Sequence, residues 1–319
     1  VPRIPAEVLI GLDRSSLLVA TNTTATRLWW QYAWSGFGRS MLGVLGVLFA
    51  AWTAQIRSRE CSPLVGCLTV AHATGADEVA RIAILLLFVL GAMLELFCLL
   101  ARPDERWRAA AELSIALSSC SWRWAMAVET LPAAASPQDY AARYVEAANQ
   151  LVNRSRVDLV ELPAAEPGPT RGMYALVRMP PRERWEAYQL TRLRTERQQF
   201  RHAAERARRI ASRLRMLLVL LYLLGVLFAA ISMLHRSVDI GFLGVVSTFL
   251  TGRATSLAAR RPEAVRRAYG AAAQDLDAYA CTPLVWDRDD QEGAQARVRE
   301  LVGSVEEIIT GVPPTPGRV

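Results

Sequence analysis

The chain has 319 residues, 52% of them hydrophobic, with a mean hydropathy of +0.17. A soluble domain of this size is usually more polar, so the composition argues for apolar segments that sit in a membrane. Net charge is +7 and all 37 basic residues are Arg; they cluster beside apolar runs, which makes a nucleic-acid surface the weaker reading.

Val1–Arg39 lacks the basic-then-apolar pattern of a signal peptide, so the first apolar span is expected to be retained. Trp29, Trp30, Tyr32, Trp34 and Phe37 gather just before that span, where aromatic rings suit the headgroup level. The uncharged run at 40–55 follows. Gly43, Gly46, Ala50 and Thr53 recur in it at three- and four-residue spacing, which makes one small-residue face for helix packing.

A loop then carries Cys61 and Cys67, which can close a disulfide if the loop faces an oxidising side; two thiols are the alternative. The second span, 82–101, is broken only by Glu95. A carboxylate inside a span is costly, so Glu95 has two readings. It lines a pore as a cation-attracting ring, or it forms a local ion pair or stays protonated. Pro103, Asp104 and Glu105 start a new helix, with proline and acidic groups in its first turn.

Residues 131–184 hold prolines at 132, 137, 163, 167, 169, 180 and 181, and read as a connector with a short helix over Tyr140–Val152. From Pro181 the chain becomes an Arg-, Glu- and Gln-rich helical stalk that runs without proline into the apolar segment Met216–Leu234. At 1.5 Å per residue this helix is about 80 Å long, too long for one membrane crossing. Arg192 and Glu196, and Glu205 and Arg209, stand four apart, the spacing of pairs that support a solvated helix.

A short turn leads to the fourth span, 238–252, where Gly241, Gly244, Thr248 and Thr251 repeat the small-residue spacing. That face either packs against a helix or, with Ser247, Thr248, Thr251 and Arg253, lines a watery path. A helix continues to about Ala280, and the tail from Gly311 is expected to fray.

Enzyme signatures are absent from the sequence. His72, His202 and His235 lie far apart, and there is no phosphate-cradling glycine loop, nucleophile elbow or metal-ligand spacing. No catalytic residue, metal or cofactor is therefore expected.

The second half repeats the first. Trp107-Arg-Ala-Ala-Ala-Glu112-Leu113 follows the second span, and Tyr269-Gly-Ala-Ala-Ala-Gln-Asp-Leu276 follows the fourth. The repeat divides the chain into a two-span unit at 1–130, a connector at 131–181, a second two-span unit at 182–280 with its stalk at 182–215, and a C-terminal segment at 281–319. Arg is dense beside one end of the spans, at Arg27, Arg39, Arg102 and the groups from Arg201 and Arg253, and sparse beside the other. The positive-inside rule then puts both termini in the cytosol and both hairpin loops outside.

On these residues the chain resembles the SLATT family, the SMODS- and SLOG-associating two-transmembrane effectors. The resemblance rests on Arg178-Met179, on Arg184-Trp-Glu-Ala-Tyr188-Gln-Leu-Thr-Arg192 with Gln198-Gln199-Phe200 beyond it, and on Trp122-Arg123-Trp124. It implies structural roles for Trp107, Glu112, Trp124, Arg184, Tyr188, Arg192 and Gln198. It also implies a membrane effector, proposed to form pores in bacterial conflict systems, whose nucleotide-signal partner is encoded separately.

The expectation is an all-α membrane protein with four spans built as two hairpins, seated in the inner membrane as a homo-oligomer that conducts ions. The alternatives are a membrane-anchored scaffold, or a receptor for a small anionic nucleotide at the Arg-rich cytosolic face.

Overall fold

The structure is a computed structural model that describes residues 15–60, 73–128, 136–155, 168–234, 262–281 and 290–315. Among these residues the chain is helical, with no strand. In chain order the helices are α1 (Ser16–Glu60), α2 (Ala73–Ala101), α3 (Pro103–Ala125), α4 (Pro137–Arg154), α5 (Arg171–Val177), α6 (Pro181–Tyr188), α7 (Arg194–Leu234), α8 (Pro262–Cys281) and α9 (Gln291–Gly311). A π-helical segment, Gln189–Leu193, joins α6 to α7.

Local chemistry sets many of the ends. Pro103 opens α3 with Asp104 and Glu105 in its first turn. Ser136 and Asp139 form a reciprocal capping box on α4, each side chain bonding the other's backbone N–H. Pro181 opens α6, where its missing N–H costs nothing. Asp290 caps α9 by accepting from the Gly293 N–H at 2.7 Å. A Cβ at Gly293 would meet that carboxylate, so the Asp290 side chain would have to shift for a larger residue there. The C-terminus of α3 is a Schellman turn. Ala127 takes φ 52, the Val128 N–H reaches back to the Arg123 carbonyl, and the Ala127 N–H reaches the Trp124 carbonyl.

The described residues fall into two compact units. One comprises Val1–Trp30, Pro103–Arg208 and Glu263–Val319. Its main core joins α3 to α9 through Trp122, Tyr140, Met173, Trp185, Tyr188, Phe200, Tyr269 and Val302. Helix α9 contributes a stripe, Ala294, Val298, Val302, Val305 and Ile309, all buried at three- and four-residue spacing. Two smaller clusters pack the start of α1 on α3. Leu17 and Leu18 meet Leu113 and Leu117, and Ala25 and Leu28 meet Trp107, Ala110 and Ala111.

The repeat is physical as well as textual. Trp107 of α3 meets Trp29 of α1 at 5.3 Å between ring centroids. Tyr269 of α8 meets Phe200 of α7 at 5.4 Å. In both, the aromatic, two following alanines and a leucine lie on the buried face.

The tail differs from the expectation. Val312 is buried, and the Tyr269 hydroxyl donates to the Pro313 carbonyl at 2.5 Å. The hydrogen bond ties Pro313 to α8, in a stretch where glycine and prolines had suggested fraying.

The other unit comprises Gln31–Arg102 and Arg209–Pro262. Its α2 exposes Ile82, Leu85, Leu86, Val89, Leu90 and Met93, and continues with exposed Leu96, Phe97 and Leu100. On α7, Ile210, Met216, Val219, Leu220 and Leu223 are exposed. Among the described residues, no helix is long and apolar enough to cross a membrane. The fourth span, 238–252, lies outside the described residues.

Candidate functional site

The most heavily built polar site lies where α9 meets the junction of α6 and α7. Arg184, Tyr188, Arg192, Glu196 and Phe200 follow one another at every fourth residue, and all five are buried. An α-helix turns about 100° per residue, so a strict period of four drifts by about 40° a step and would carry the last residue roughly 160° round. One extra residue wound into the helix removes about 100° of that drift. The π segment Gln189–Leu193 is that extra residue, and it keeps the five side chains on one side. Within it, the Thr191 hydroxyl donates to the Ala187 carbonyl at 2.6 Å, satisfying an acceptor in the widened turn.

Arg192 sits between two carboxylates. Its Nη1 lies 2.8 Å from Glu196 Oε1, one turn along its own helix. Its Nε and Nη2 donate to the two oxygens of Glu306 on α9, each at 3.3 Å. The Tyr188 hydroxyl donates to Glu306 Oε1 at 2.7 Å. Glu306 is 1% exposed, so one residue of α9 closes the whole cluster away from water. Burial alone would lower the Arg192 guanidinium, but Glu306 and Glu196 outweigh it and hold it above the usual arginine value. Burial first, then the charge of Glu306, pushes the Tyr188 phenol well above its ordinary value, so it remains a donor. The Arg192–Glu196 spacing had suggested a solvated pair; the pair is instead desolvated, because the face it shares is the one α9 covers.

Arg184, one turn before Tyr188, has a different partner. Its Nη1 donates to the Met126 carbonyl at 3.2 Å and its Nη2 to the Met179 carbonyl at 3.0 Å. Gln295 Nε2 adds bonds of 3.3 Å to the Met126 and Ala127 carbonyls. A buried cation thus rests on the carbonyl end of α3, where the helix dipole is negative. Burial lowers this guanidinium from its usual value. The aromatic packing around the cluster is tight: Trp122 meets Tyr188 edge-on at 5.5 Å, and Trp185 stacks on Tyr188 at 5.7 Å.

Of the residues singled out from sequence, Trp107, Trp124, Arg184, Tyr188 and Arg192 are buried. The structure brings Tyr188 and Arg192 together on Glu306 and sets Arg184 one turn away. Glu112 and Gln198 are exposed and do not join them. Glu95 lies in α2 with its side chain outside the described residues. Cys61, Cys67, Ser247, Thr248, Thr251 and Arg253 also lie outside them. Sequence reasoning missed Glu306, although the apolar stripe around it on α9 was visible at helical spacing.

A second feature is a cleft of about 670 Å³ between α3, α4 and α9. Its floor is small and apolar, with Ala116, Ala147 and Gly303, and its polar groups include Arg123, Gln150, Arg154 and Glu307. Among the described residues no group of side chains is arranged to hold a metal ion.

Fold and site together define a tandem helical protein whose second half carries a buried ion cluster between α9 and the junction of α6 and α7. Residues 37–185 match the family described as SMODS and SLOG-associating 2TM effector domain 3, and residues 188–311 match SMODS and SLOG-associating 2TM effector domain 1. The chain belongs to this family of effector domains. The second match begins at Tyr188, inside the cluster. No curated protein and no solved structure matches the chain.

Proposed function

We propose that the chain is a membrane effector whose hairpins cross the bacterial inner membrane as four spans, at about 40–55, 82–101, 216–234 and 238–252, and assemble as a homo-oligomer around an ion-conducting path. The observation that carries this reading is the apolar face of α2. From Ile82 to Leu100 nine large apolar side chains are exposed, by 49 to 76%. Soluble surfaces rarely leave so long an apolar stripe uncovered. At 1.5 Å per residue the stripe is about 28 Å long, the thickness of a hydrocarbon core. Among the described residues no helix is long and apolar enough to cross a membrane; in sequence, 82–101 is uninterrupted apart from Glu95. Trp34 and Phe37, exposed and in edge contact at 5.9 Å, suit the headgroup level.

In this reading both termini are cytosolic, Glu95 and the Thr248–Thr251 face are the candidate pore groups, the chain is not an enzyme, and a separately encoded system makes or senses the nucleotide signal. The test is flux: vesicles holding the purified chain should dissipate a potassium gradient while retaining a large dextran. Vesicles that hold the gradient at every protein-to-lipid ratio would refute it.

The cleft favours a second reading, a receptor for a small organic anion. Arg123 and Arg154 supply positive charge beside an apolar floor, at a volume ordinary for ligand sites. A thermal shift with adenosine monophosphate that Arg154→Ala abolishes would support it. No shift with any nucleotide at millimolar concentration would set it aside.

A further inference from the structure

We propose that the π segment Gln189–Leu193 is a register switch held by α9. With Glu306 seated, one extra residue stays wound between α6 and α7. With Glu306 withdrawn, the segment closes to α-helix and α7 turns against α6 by about one residue, roughly 100°.

Three observations carry this. First, the every-fourth-residue spacing of Arg184, Tyr188, Arg192, Glu196 and Phe200 fits one buried face only with the extra residue in place. Second, each flank is pinned independently. Arg184 fixes α6 to the end of α3, where Trp122 also meets Tyr188 edge-on. Phe200 fixes α7 through Tyr269, helped by the ion pair of Arg201 with Asp277 at 2.6 Å. A change of register therefore moves one flank as a body instead of spreading along the helix. Third, a carboxylate of α9 reaches the π segment from outside. Glu306 bonds Tyr188 immediately before the segment and Arg192 inside it.

That carboxylate is a sharper latch than the apolar stripe beside it. Val302 and Val305 tolerate a slide of an ångström or two, because apolar contact is not directional. Three hydrogen bonds from one carboxylate do not, since they weaken steeply with distance and angle. Arg192 keeps Glu196 as a partner on its own helix, so it is not stranded when Glu306 leaves. π-bulges inside α-helices are often found at functional sites.

The experiment uses the full chain in lipid nanodiscs, with its native cysteines replaced and nitroxide pairs at exposed positions. One pair, Gln198 with Asp275, reads α7 against α8; the other, Arg182 with Glu112, reads α6 against α3. Glu306→Gln should move at least one of the two distances by about 5 Å or more, given the radius of a helix with its side chains. Deleting Thr191 removes the extra residue, so in that background Glu306→Gln should leave both distances where they are. Two unchanged distances in Glu306→Gln would overturn the switch. So would a change that persists in the Thr191 deletion, because the motion would not be one of register. If Glu306→Gln does not fold, Tyr188→Phe removes one of the three bonds and is read by the same criteria.

Discussion

Removing the Glu306 carboxylate tests whether the buried cluster acts as one unit. In Glu306→Leu the Tyr188 hydroxyl loses its acceptor and Arg192 loses two of its bonds, all of them buried. Breaking a buried pair from one side costs about 3–5 kcal/mol, because the remaining charge is left desolvated. Glu196 stays 2.8 Å from Arg192, which sets the expectation at the lower end, about 3 kcal/mol. For a unit of this size that is a fall in melting midpoint of roughly 6–12 °C. Tryptophan fluorescence reads it directly, since Trp122 and Trp185 pack on Tyr188. Replacing the whole set with Tyr188→Phe, Arg192→Met, Glu196→Leu and Glu306→Leu removes every buried polar group of the cluster, and should recover most of the loss. If Glu306→Leu costs under about 1 kcal/mol, or the fourfold variant melts no higher than the single one, the cluster is not a coupled unit.

Phe200→Ala should cost about 3–5 kcal/mol by opening a cavity against Tyr269, measured by chemical denaturation. Ala127→Gly should stabilise by about 1 kcal/mol in the same assay, because glycine takes the left-handed turn at the end of α3 without strain. At the capping box, hydrogen bonds from Ser136 hold the Asp139 carboxyl below its ordinary value. Its contribution is then present above the ordinary carboxylate pKa and lost as pH falls through the lowered one, so hydrogen exchange in the first turn of α4 should quicken only in acid. Glu95→Gln should reduce cation preference in bilayer recordings while the assembly survives; unchanged selectivity would move the search for the pore group to Thr248, Thr251 and Arg253.

Helix positions were legible because prolines, caps and apolar runs mark them, as at Pro103, Pro137 and Pro181. The repeat was legible because Trp107 and Tyr269 do the same packing job with the same neighbours in sequence. The ion cluster was only half legible. Tyr188 and Arg192 stood out through the family motif, yet their partner is more than a hundred residues away, and no local rule links it to them. The Arg192–Glu196 spacing is the same whether the face meets water or another helix, so sequence alone favoured the commoner, solvated case. The π segment was encoded in the every-fourth-residue spacing, but that signal becomes decisive only once all five residues are known to be buried.

Current across a planar bilayer tests the proposed ion path most directly. Purified full-length chain fused into a bilayer should give discrete steps of conductance, with a cation preference that Glu95→Gln lowers. A bilayer that stays silent while the chain is demonstrably inserted would contradict the central claim and leave the spans as anchors alone.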